Sequence, residues 1–72
     1  MDPKYAEAHI DFGVSYWRQD KVKEAEALFK AGLDLEPGNA WAHYTFGNFL
    51  RSVKRLKEAK EEFEKALKLQ PD

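Results

Sequence analysis

Apolar and small residues recur along this chain at the three- and four-residue intervals that place side chains on one face of an α-helix. His9, Phe12, Gly13 and Tyr16 follow that spacing and predict a first helix from about Pro3 to Gln19. Asp20-Lys21 reads as a short turn, and Val22, Ala25, Phe29 and Leu33 mark one side of a second helix ending near Leu35. Pro37-Gly38-Asn39 then breaks the pattern, with Asn39 suited to cap the next helix. The plan repeats as a helix from Ala40 to about Val53, a basic turn, and a helix from about Leu56 to Leu69, closed by Pro71.

The repetition is literal. A shift of 34 residues lays Ala6, Ala8, His9, Phe12 and Gly13 on Ala40, Ala42, His43, Phe46 and Gly47. It also lays Lys23-Glu24-Ala25 on Lys57-Glu58-Ala59, Phe29 on Phe63, and Leu33, Leu35 and Pro37 on Leu67, Leu69 and Pro71. A fixed period of this length marks stacked supersecondary units. A helical Gly is about 1 kcal/mol worse than Ala, so Gly13 and Gly47 at one phase need a reason. Close approach of the facing aromatic to the bare backbone supplies it. Pro37 denies the second helix its next hydrogen bond and turns the chain into the second unit.

These residues resemble the tetratricopeptide repeat family, whose pattern is Trp, then Leu-Gly, then Tyr, then Ala, Phe and a closing Pro. The first copy offers Phe12-Gly13, Tyr16, Ala25, Phe29 and Pro37, and the second Phe46-Gly47, Leu50, Ala59, Phe63 and Pro71. His9 and His43 stand where the family has Trp, Leu50 replaces the second Tyr, and Gly32 replaces an Ala retained as Ala66. The resemblance spans essentially the whole chain. It implies an all-α fold of two stacked antiparallel helix-turn-helix hairpins, a fragment of a right-handed α-solenoid. Residues 1–72 then form a single two-repeat unit, with repeats at about 6–39 and 40–72.

Helical phase also assigns faces. Ala42, Phe46, Phe49 and Val53 on the third helix should meet Ala25, Leu28, Gly32 and Leu35 on the second. The outward stripes become Ala8, Phe12, Ser15 and Gln19 on the first helix, and Ala59, Glu62, Ala66 and Leu69 on the last. Both are softened by polar residues, as repeat arrays require at their ends. In the family the first helices line a concave groove. The matching stripe here is Ile10, Val14 and Trp17 in one repeat, and Trp41, Tyr44, Asn48 and Arg51 in the other. Aromatics and Arg dominate interface hot spots. Alternatively, Trp17 and Trp41 simply cover neighbouring side chains. Asn48 matches an Asn that bonds peptide backbone in peptide-binding relatives. The clustered cations that clamp a terminal carboxylate in such relatives are missing, with only Arg18 and Arg51 near.

Composition narrows the chemistry. Twelve Lys and Arg balance 13 Asp and Glu for a formal charge of −1 over 72 residues, without the one-sided basic surface of a nucleic-acid or membrane-surface binder. The cluster Arg51, Lys54, Arg55 and Lys57 is followed at once by Glu58, Glu61 and Glu62. Cysteine is absent, which removes disulfides and thiolate metal sites. No apolar run approaches a bilayer span and the N-terminus carries no signal-peptide core. The chain therefore reads as soluble and cytoplasmic.

Neither His9 nor His43 has an acidic or second His partner at helical spacing on its own face, where zinc wants three or four converging ligands. Ser15 and Ser52 lack a base. Glu26–Lys30, Glu61–Lys65 and Glu64–Lys68 are surface pairs at i,i+4 spacing. No catalytic residue, metal or cofactor is expected. The reading is a protein- or peptide-binding scaffold for an apolar or aromatic-containing segment, with weak self-association through the terminal helix faces. The alternatives are an excised or designed repeat fragment that only folds and self-associates, or an accessory segment of an enzyme.

Overall fold

The computed structural model describes the backbone of residues 3–71 and the side chains of residues 5–71. Among the described residues four helices account for the regular structure: α1 (Pro3–Arg18), α2 (Val22–Leu35), α3 (Ala40–Ser52) and α4 (Leu56–Leu69). Helix α1 packs on α2, and α3 on α4. The chain divides between Pro37 and Gly38 into two compact units, each a helical hairpin.

The helix ends follow local chemistry. The Asn39 side chain accepts the Ala42 backbone N–H at 3.1 Å, satisfying a donor that the first turn of α3 leaves free. Helices α2 and α4 have no side-chain cap. Both hairpin turns close the same way. Lys21 N–H bonds the Tyr16 carbonyl at 2.9 Å and Asp20 N–H the Trp17 carbonyl at 3.0 Å. Arg55 and Lys54 bond Leu50 and Arg51 in the same pattern. The turn residues Asp20 and Lys54 have φ of 62° and 69°, the left-handed conformation that glycine usually supplies after a helix.

In the first hairpin, Ala6, Ile10, Ala25 and Phe29 are fully buried. A Cβ on Gly13 would lie 3.0 Å from Cε1 of Phe29, so the ring sits on bare backbone, as the helical glycine required. A Cβ on Gly32 would meet Ile10 Cδ1 at 2.8 Å and the Ala6 carbonyl at 3.1 Å. The contacts pair Gly13 with Phe29 and Ile10 with Gly32, so the helices run antiparallel.

The second hairpin keeps the plan, with Phe63 Cε1 at 2.8 Å from a Cβ placed on Gly47. Leu50 and Ala59 are buried. Ala42, Phe46 and Phe49 are buried too, the two Phe rings stacked at 6.1 Å, and Val53 is half-buried.

Two face assignments change. Gly32, placed on the stripe meeting the third helix, receives Ile10 inside its own hairpin, a contact its stripe did not include. The outward stripe of the last helix also fails, because Ala59 and Glu62 are turned inward and only Leu69 is exposed. Glu62 Oε1 accepts a hydrogen bond from His43 Nδ1 at 2.7 Å across the hairpin. Its other oxygen pairs with Lys65 at 3.2 Å, so Lys65 reaches Glu62 by i,i+3 rather than Glu61. In the first hairpin Leu28 stands where Glu62 does, and His9 instead bonds the Tyr5 carbonyl one turn back at 2.6 Å. The Glu26–Lys30 pair forms at 3.2 Å.

Candidate partner-binding surface

The residues assigned to the partner stripe differ sharply in exposure. On α1, Ile10 is 0% exposed and fills the notch above Gly32, so it leaves the surface set. Gly32 is the reason: without a Cβ, it lets the Ile10 side chain pass between the helices. Val14 and Trp17 are half-buried and line a shallow hollow with Arg18. Trp17 also packs edge-on against Phe29 at 6.4 Å, so part of its surface is structural.

On α3, Trp41 and Tyr44 are exposed, at 45% and 50%. Together with Ala40 they form one wall of a groove whose other wall is Phe63, Ala66, Leu67 and Gln70 of α4. Its volume is about 450 Å³. Tyr44 leans on Phe63 with centroids 5.7 Å apart. The Arg51 guanidinium lies 5.9 Å from the centroid of the same ring, and its Nη2 donates to the Asn48 carboxamide oxygen at 3.2 Å. That bond leaves the Asn48 NH2 group free to donate elsewhere.

Helical phase on α3 did not reveal the α4 wall. Leu67 is 59% exposed, yet in the repeat it matches Leu33, which is half-buried. The signal available was the substitution pattern between repeats. Where the first copy has Ile10 and Gly32, the second has Tyr44 and Ala66. A larger side chain with no notch to enter must stand outside the interface.

A further hollow in the first hairpin is lined by Tyr5, His9, Ala31, Asp34 and Leu35. Leu35, like Gly32, was assigned to the stripe facing the third helix, and here its side chain borders α1 residues. Ala25 is buried and Leu28 half-buried. The basic turn is partly neutralised, since Arg55 grips Glu58 with bonds of 3.0 and 2.7 Å. Among the described residues no group of three or more His, Cys, Asp or Glu is arranged to hold a metal. None of their helices is long and apolar enough to cross a membrane.

A chain built from antiparallel helix pairs, each locked by an aromatic ring against a glycine at the same phase, is a helical-hairpin repeat protein. The tetratricopeptide repeat family model matches residues 16–72, from the last turn of α1 through α2, α3 and α4. The chain belongs to the tetratricopeptide repeat family. Its domains are generally protein–protein interaction modules and typically non-catalytic scaffolds. No curated protein matches the chain significantly in sequence.

Proposed function

We propose that this chain is a non-catalytic module that binds protein segments through exposed residues on the first helix of each hairpin. These are Val14 and Trp17 on α1, and Trp41, Tyr44, Asn48 and Arg51 on α3. The observation that carries the reading is the exposure of Trp41 and Tyr44 beside an open apolar groove. Large aromatics left in water are an unfavourable surface for a monomer, and at interfaces such residues contribute most of the affinity. Asn48 adds a free amide donor for a peptide carbonyl, and the −1 net charge favours neither nucleic acid nor an anionic surface.

The test is an NMR titration of the isotope-labelled chain with a mixed peptide library. Amide shifts should cluster at Trp17, Trp41, Tyr44 and Asn48. Shifts confined to the helix faces around Lys30 and Lys65 would refute the surface.

A second reading rests on Phe12, which is 61% exposed beside the exposed Ala8. Weak self-association through this face of α1 fits that exposure, whereas the inward turn of Ala59 and Glu62 removes most of the complementary stripe on α4. Sedimentation equilibrium should show a monomer that associates only at high concentration. A dimer persisting at nanomolar concentration would contradict it.

A further inference from the structure

The two hairpins share a plan but differ at one place with consequences for recognition. In the first, Ile10 is fully buried and occupies the notch at Gly32. In the second, Tyr44 and Ala66 hold the same positions of the repeat, and the groove between Trp41, Tyr44, Phe63 and Leu67 stays open. Its volume of about 450 Å³ lies in the range of about 300–1,000 Å³ typical of ligand sites. Every lining residue except Gln70 is apolar or aromatic, and no carboxylate lines it.

One cation overlooks this groove. Arg51 stacks on the Phe63 ring that forms one wall, and its neighbours are that ring and the Asn48 amide, not a carboxylate. Lys60 is exposed on α4 three residues before Phe63, on the same side of that helix. A planar guanidinium fixed by a ring and an amide is oriented to take a carboxylate by charge-assisted hydrogen bonds.

We infer that the second hairpin holds an anchor site, which takes one bulky apolar side chain of an extended, acidic segment of a partner protein. The side chain is Leu, Met or an aromatic, and it enters between Tyr44 and Leu67. A carboxylate within about two residues of it reaches Arg51, since an extended chain advances about 3.3 Å per residue and the guanidinium overlies the groove wall. This inference rests on the module reading above and names the chemistry of the segment.

The experiment selects a phage-displayed library of random dodecamers against the intact 72-residue chain, then measures fluorescein-labelled hits by anisotropy. Hits should share a Leu, Met or aromatic with Asp or Glu no more than two positions away. Arg51→Gln should weaken a hit about fivefold, and replacing the peptide's acid by its amide should do the same. The two changes together should give no further loss. Tyr44→Ile with Ala66→Gly, which copies the Ile10 and Gly32 pair of the first hairpin, should abolish binding. Leu67→Glu, at an exposed position where folding is not at stake, should do likewise. Hits without an acid, or hits indifferent to both Arg51→Gln and Leu67→Glu, overturn the inference. If such hits still shift amides around Val14 and Trp17, the module reading survives alone. If no peptide is selected, both fall.

Discussion

Replacing Gly47 by Ala sets two known effects against each other. Ala is better than Gly inside a helix by about 1 kcal/mol. The added Cβ, however, would lie 2.8, 2.9 and 3.2 Å from Cε1, Cδ1 and Cζ of Phe63, each well inside carbon–carbon contact distance. Overpacking of this kind costs about 1–3 kcal/mol. Phe63 is half-buried and can tilt only partly away, so we take about 2 kcal/mol for the clash. The net effect is a loss of about 1 kcal/mol, or a melting point lower by about 4–8 °C for a domain of this size. With Phe63→Leu as background the ring is gone, and Gly47→Ala should stabilise by about 1 kcal/mol instead. The coupling between the two substitutions is then about 2 kcal/mol. Thermal and urea unfolding of the four proteins, followed by far-UV circular dichroism, measures it. A stabilising Gly47→Ala in the otherwise natural chain, or a coupling below about 0.5 kcal/mol, would refute the reasoning that Gly47 exists to admit Phe63.

Phe49→Ala removes a fully buried ring and should cost about 3–5 kcal/mol, enough to leave a 72-residue domain largely unfolded; an unchanged melting point would contradict this. Glu62→Ala removes the carboxylate that His43, 8% exposed, bonds across the hairpin and should cost about 1–3 kcal/mol, the range of a hydrogen bond to a charged group. The double substitution His43→Leu with Glu62→Leu should return within about 1 kcal/mol of the natural chain, as read by urea unfolding. Lys54→Gly places the preferred residue at φ 69° and should stabilise by about 0.5 kcal/mol, the left-handed strain relieved less the extra unfolded-state entropy. A lower melting point in that variant would show that the turn does not hold Lys54 against its preference.

Much of the architecture was legible because it is encoded locally. Helix α4 begins and ends where periodicity placed it, and the other helix ends differ from expectation by a residue at most. Asn39 was recognisable as a cap because its short acceptor side chain meets a free amide within its own turn. The glycine phase foretold the ring contacts at Gly13 and Gly47, since a glycine at a helix centre is unfavourable without one.

What periodicity could not decide was the direction of residues at the edge of a stripe. Successive side chains are about 100° apart on a helix, so a residue between two faces is assigned by packing and not by its phase. Ile10 lay on a stripe read as exposed and is buried, because Gly32 opens a notch for it. Glu62 looked like solvated surface and is buried, because His43 on the facing helix offers it an N–H.

The sequence by itself determined the helices, their turns, their grouping into two repeats and the absence of any cysteine chemistry, all of which depend on residues close along the chain or on composition. Only the tertiary structure decided that Ile10 is buried over Gly32 in the first hairpin while Tyr44 borders an open apolar groove in the second. That outcome depends on volumes contributed from two helices at once: Ile10 with Gly32 fills the space between them, and Tyr44 with Ala66 does not.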